Sequence, residues 1–162
     1  MSEQSTQERL AAIEARLAIT EILNAYALYI DRRRWDDFEG LFADTVELSL
    51  IRTDQQWVTM TKSELAHRAR GGFETYDATQ HISANHVITL AGSAATAWST
   101  LNATHHVKSA EGGQFQQQVG YYEHHFAYDE KWRITKLRQI VHWQRGNQQI
   151  FDSTVGTGGW GS

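Results

Sequence analysis

From about Gln7 to Ile30, the apolar residues Leu10, Ile13, Leu17, Ile22, Tyr26 and Ile30 recur at helical spacing. Glu8, Arg9, Glu14, Arg16 and Glu21 occupy the other side. This pattern predicts a long amphipathic helix whose stripe packs on a flat apolar surface. Trp35 to Phe42 reads as a second, short helix, with Trp35, Phe38, Leu41 and Phe42 apolar, and Asp44-Thr45 is expected to break it. Val46 to Ile51 alternates as a strand, with Trp57 to Met60 as its hairpin partner across Arg52 to Gln56. Thr61 or Ser63 is placed to cap a third helix that runs to about Arg70 and ends at Gly71-Gly72.

The second half changes period. His81 to Leu90, Ala94 to Val107, Gln114 to Tyr128 and Trp132 to Trp143 read as strands joined by short turns, which favours an antiparallel meander. Helices followed by long antiparallel strands define an α+β chain with helices on one face of a strongly curved sheet. Residues 1–145 form one domain, and residues 146–162, rich in Gly, Gln and Ser, form a C-terminal extension or flap.

Composition narrows the function classes. At 162 residues with 41% hydrophobic and 21% charged residues, the chain is long enough for one well-buried core. A net charge of −4 argues against nucleic acid, and Arg32-Arg33-Arg34 is hemmed in by Asp31, Asp36, Asp37 and Glu39. Cysteine is absent, which removes disulfides, thiolate nucleophiles and cysteine-ligated zinc. No apolar run approaches the roughly 20 residues that span a bilayer, and Met1 to Glu8 carries no signal-peptide core. These features lead us to expect a soluble cytoplasmic protein without membrane or nucleic-acid partners. Gly156-Thr157-Gly158-Gly159-Trp160-Gly161 matches a dinucleotide fingerprint in letters alone, because no helix can follow it to hold a pyrophosphate.

The chemistry is carried by eight histidines, unusually many for this length. Strand alternation makes each of the pairs His105-His106 and His124-His125 present one imidazole inward and one outward. Tyr122, His124, Phe126 and Tyr128 share a face of one strand, and His81, Ser83, Asn85 and Val87 share a face of another. Converging aromatic, small and imidazole groups suit an apolar pocket with a few polar handles. Asp31 ends the first helix, where the helix dipole disfavours a carboxylate. Aimed inward, it would hydrogen-bond His81 and fix the tautomer of a general base. A metal site built from His81, His106 and His124 is a competing arrangement, although no H-E-x-x-H or H-x-H spacing supports it.

Ile22-Leu23-Asn24-Ala25-Tyr26-Ala27-Leu28-Tyr29-Ile30-Asp31, then Trp35-Asp36-Asp37-Phe38, Thr79-Gln80-His81, Gly120-Tyr121-Tyr122-Glu123 and Lys131-Trp132-Arg133-Ile134 carry a family likeness. In this order they resemble the SnoaL-like branch of the NTF2-like superfamily, of the scytalone dehydratase and bile-acid dehydratase type. The resemblance implies a cone-shaped barrel that often assembles as a homodimer or homotrimer. It also implies a cofactor-independent lyase or isomerase acting on a hydrophobic oxygenated small molecule, without metal. Asp31 and His81 would form the base, with Tyr26 and His106 as catalytic partners. Tyr122, His124, Phe126, Asn85 and Trp143 are the expected substrate contacts. The late-strand arginine of the related dehydrochlorinase has no counterpart near Ala127 or Tyr128, which counts against halide elimination. A polyketide-type cyclase is an alternative within the same chemistry. A non-catalytic module like the β subunit of ring-hydroxylating dioxygenases is an alternative outside it.

Overall fold

The computed structural model describes residues 5–50 and 56–151. A long helix α1 (Thr6–Asp31) and a short α2 (Trp35–Glu39) lead into β1 (Phe42–Ser49) and β2 (Val58–Thr61). Helix α3 (Lys62–Phe73) follows, and then four long strands: β3 (Ala78–Ala91), β4 (Ala94–His106), β5 (Phe115–Asp129) and β6 (Lys131–Gly146). The sheet order is β2-β1-β6-β5-β4-β3, antiparallel throughout except for the parallel β1–β6 pair. The meander is as expected; the parallel closure that brings β1 beside β6 is a long-range pairing with no local signal.

Capping boxes start both longer helices. Ser5 accepts from the Glu8 backbone while the Glu8 carboxylate takes the Ser5 N–H, and Thr61 and Glu64 do the same for α3. Several expected boundaries move. Phe42 opens β1 and does not close α2, and Asp44-Thr45 lie within that strand. Gly71-Gly72 fall inside α3, which ends at Phe73. Ile51 and the turn at 52–55 lie outside the described residues.

The face that α1 turns to the sheet also differs from expectation. Ile19, Leu23, Tyr26, Ala27 and Ile30 are buried, whereas Leu10, Ile13 and Leu17 are about half exposed. At its first turns the helix presents the half-buried Ala12, Ala15 and Ala18, which line an open groove together with Leu90 and Trp132. A periodicity weighted by hydrophobic bulk favours the leucine-bearing side instead.

Between the helices and the inner face of the sheet sits a core that includes Phe38, Phe42, Val46, Leu48, Leu101, Ile134 and Leu137. Tyr26, Phe38 and Phe42 stack edge to face or tilted, with centroids 5.0–6.3 Å apart. Trp35 is also buried, as expected. Two irregularities decide which side chains point inward. A bulge at Asn85, which sits at φ 56°, reverses the alternation of β3. On β5, Gly120 has no room for a side chain, since a Cβ there would lie 1.9 Å from the Ile140 carbonyl oxygen.

Candidate functional site

The end of α1 builds the site. Helix geometry stops at Asp31, and Arg33 adopts a left-handed φ of 56°, a conformation more often supplied by glycine. This turn sends the Arg33 guanidinium back over the helix end. There it donates to the Ile30 carbonyl (2.8 Å), the Thr79 hydroxyl (3.0 Å) and the Tyr76 carbonyl (3.5 Å). The same turn directs Asp31 at the start of β3. Its carboxylate accepts from the Thr79 hydroxyl (2.9 Å), the His81 backbone N–H (2.7 Å) and His81 Nδ1 (2.7 Å). Thr79 thus links Arg33 to Asp31, accepting from one and donating to the other. Partial burial pushes the pKa of the Arg33 guanidinium down from its usual value, and the nearby Asp31 charge opposes that shift.

A carboxylate that accepts at Nδ1 fixes the imidazole in the Nδ1–H tautomer and leaves Nε2 as its basic nitrogen. The His81 side chain is 4% exposed and lines a recessed cavity of about 50 Å³. Helices α1 and α3 form the roof of this cavity and the inner face of the sheet its floor. That volume holds a few waters, so a substrate enters only as side chains move. Tyr26 and Tyr122 also line it; their hydroxyls are hydrogen-bonded to each other and their rings meet edge to face at 5.6 Å. Burial pushes both phenols up from their ordinary range, so each stays a neutral hydrogen-bond donor.

The structure places His81, Tyr26 and Tyr122 on one cavity, with Asp31 bonded to His81, and leaves the other expected residues out of its lining. His106 points to the outer face of the sheet and stacks on Phe115, with centroids 4.6 Å apart. Its neighbour His105 is the inward member of the pair, 2% exposed and in ring contact with His81 at 5.4 Å. Alternation holds on β4; only its phase was unread, although Ala95, Ala97, Leu101 and Ala103 share the parity of His105. Asn85 is carried outward by its bulge and donates to Thr100 beside Val87 and Trp98. Trp143 is 49% exposed on the outer face, and Tyr128 is 51% exposed. His124 and Phe126 do face inward, but they lie in the packed core away from the cavity lining.

His124 is fully buried among the rings of Tyr26, Tyr122 and Phe126, at 5.5–6.0 Å, and neither of its ring nitrogens has a hydrogen-bond partner among the described residues. Burial, reinforced by His86 and His125, pushes it down to about 3, so it is neutral. His81, His106 and His124 therefore do not converge. Among the described residues no cluster of three or more His, Cys, Asp or Glu side chains is placed to hold a metal ion. Among the lining groups that sequence reasoning missed are His105, Gln118, Gln139 and Phe151. Phe151 follows β6 in a short helical turn and lies 4.8 Å from the His105 ring, closing that side of the cavity. The rest of the C-terminal extension, including Trp160 and the glycine run, lies outside the described residues.

Comparison with known proteins agrees with this architecture. Residues 11–138 match the SnoaL-like domain. The Kfla4162 protein from Kribbella flavida superimposes with a TM-score of 0.81 at 21% identity, covering 87% of this chain and 99% of that one. A candidate scytalone dehydratase from Novosphingobium aromaticivorans gives 0.72 at 17% identity, covering 88% and 92%. From the same organism, the β subunit of a candidate aromatic-ring-hydroxylating dioxygenase gives 0.64 at 18% identity, covering 87% and 97%. No curated protein matches the sequence significantly. Identities this low establish a common fold, and one fold serves unrelated chemistries. No helix among the described residues is long and apolar enough to cross a membrane.

Proposed function

Because the chain belongs to the SnoaL-like domain family, we propose that it is a cofactor-independent lyase or isomerase of the dehydratase type. Its substrate is a hydrophobic, oxygenated small molecule. The observation that carries this reading is the 2.7 Å bond between Asp31 and His81 Nδ1 at the edge of a recessed cavity. His81 Nε2 removes a proton α to a carbonyl, and the C–H electron pair moves into the enolate. Asp31 stabilises the imidazolium that forms, as a buried carboxylate does for a catalytic histidine. Tyr122 donates to Tyr26, which leaves the Tyr26 hydroxyl proton for the enolate oxygen, where water exclusion strengthens its effect. His105 takes the role first expected of His106. Collapse of the enolate expels a β-hydroxyl, which leaves as water with a proton from an imidazolium; return of that proton to another carbon is isomerisation. A polyketide-type cyclase would use the same base, with the enolate carbon attacking a second carbonyl.

The direct test is deuterium uptake at the α carbons of a panel of enolisable hydroxy-ketones in D₂O. Wild-type protein should catalyse exchange, and Asp31→Asn should abolish most of it. Full activity in Asp31→Asn would overturn the dyad.

A second reading, an assembly or binding module, is favoured by the outer face of the sheet. Val87, Trp98, Tyr121 and Trp143 are there 64%, 42%, 43% and 49% exposed. The same surface supports assembly as a homodimer or homotrimer, which light scattering would read. Copurification with a large iron–sulfur partner, together with no exchange on any ketone, would favour the module.

A further inference from the structure

The cavity has a second polar end that the acid–base chemistry does not use. Gln116, Gln118 and Gln139 are 1%, 2% and 9% exposed on the inner face of β5 and β6, where strands otherwise place apolar side chains. Gln139 donates to Gln118 Oε1 at 3.2 Å. Gln116 donates to Gln144 and Gln148 at 3.2 and 3.0 Å. Gln118 Nε2 makes only a 3.5 Å approach to Gln144, so hydrogen-bonding capacity remains on that amide. Of the buried glutamines, Gln118 and Gln139 are those that line the cavity.

Register fixes their relation to the base. His81 pairs with Ala103, and Ala103 pairs with Gln118, so the three occupy one row across β3, β4 and β5. Two strand spacings separate His81 from Gln118, about 10 Å. The residue between them is an alanine, which leaves space above the sheet. Among the described residues no lysine or arginine lines the cavity, and Arg33 is committed to oxygens of Ile30, Thr79 and Tyr76. A carboxylate bound there would be desolvated with no counter-charge from the described lining. An amide pair both donates and accepts without charge.

We propose that Gln118 and Gln139 form a recognition subsite for a second, uncharged polar group of the substrate, such as an amide, ester or hydroxyl. They hold it about 10 Å across the sheet from His81 and discriminate against carboxylates. This rests on the reading of His81 as the base that meets a carbonyl. The substrate class is thus a neutral ketone with a polar group at its far end.

Three probes test it: para-acetylbenzamide, para-acetylbenzoate of nearly the same shape, and acetophenone, which lacks the distal group. Dissociation constants are measured calorimetrically on the full chain, and deuterium uptake into each methyl ketone is followed in parallel. The amide should bind at least tenfold tighter than the benzoate and than acetophenone. Gln118→Met should remove its advantage over acetophenone, with Gln139→Met as the second variant. The amide–benzoate comparison on wild-type protein stands even if a variant does not fold. Equal or tighter binding of the benzoate would overturn the subsite, as would failure of the amide to bind. So would an amide advantage that survives both substitutions. Deuterium uptake separates this proposal from the base: selective amide binding without exchange removes the dyad and keeps the subsite, and exchange without selectivity does the reverse.

Discussion

The inner face of the sheet divides at the level of Gly120 into two halves, each of which holds buried histidine. On one side Gln118 and the neighbouring His81 and His105 border open space. On the other, Tyr122 leads into His124 and Phe126, packed solid under α1. His81 has a carboxylate at 2.7 Å, whereas His124 has only rings around it. Burial alone produces an inert neutral imidazole. A base also needs a partner to orient it and a cavity to act on, and the turn at Arg33 supplies the first while Phe73 and Phe151 border the second.

The largest effect should come from cutting that partner. Asp31→Asn is expected to lower turnover about 10²- to 10⁴-fold while circular dichroism and melting temperature stay near wild type. Comparable loss from His124→Leu, which touches the packed half, would erase the distinction drawn between the halves.

The border itself should be the least tolerant backbone position. Gly120→Ala forces a Cβ against the Ile140 carbonyl and should cost about 3 kcal/mol or more in urea unfolding. A near-neutral result would mean that β6 moves aside there.

The packed imidazole should be visible in acid. His124 is pushed from 6.5 to about 3 in the folded chain, so the unfolded state binds the extra proton between those values. Stability from this group is therefore present above pH 6.5 and lost as pH falls toward 3, at up to roughly 1.4 kcal/mol per pH unit. His124→Leu should flatten that slope relative to wild type, and parallel slopes would place water or a hydrogen-bond acceptor at His124.

The smallest effect lies above the open half. At Gly71 a Cβ meets nothing within 4 Å, so Gly71→Ala should stabilise α3 by roughly 0.5–1 kcal/mol without altering exchange activity.

Much of this was legible in the sequence. Residue spacing set out the helices and the meander, and a carboxylate at a helix C-terminus pointed to Asp31. The rest was lost for identifiable reasons. Alternation predicts that one of His105 and His106 faces inward, but only a neighbour of known side fixes which one. The bulge at Asn85 breaks the count along β3, so Asn85 and Val87 leave the face that His81 occupies. Gln116 and Gln118 sit in a glutamine-rich run that reads as polar surface, although they share their parity with Tyr122. Trp143 is apolar yet outward, because a bulge in the β5–β6 register lies between the Val119 and Gly120 pairings.

The central claim is that Asp31 holds His81 with its proton on Nδ1 and its lone pair on Nε2. Long-range nitrogen–proton NMR on histidine-labelled protein reads this directly in the wild type and in Asp31→Asn. The account predicts the Nδ1–H tautomer in the wild type, shifting toward Nε2–H when the carboxylate is gone. A wild-type ring protonated on Nε2, or a spectrum indifferent to Asp31, would contradict it.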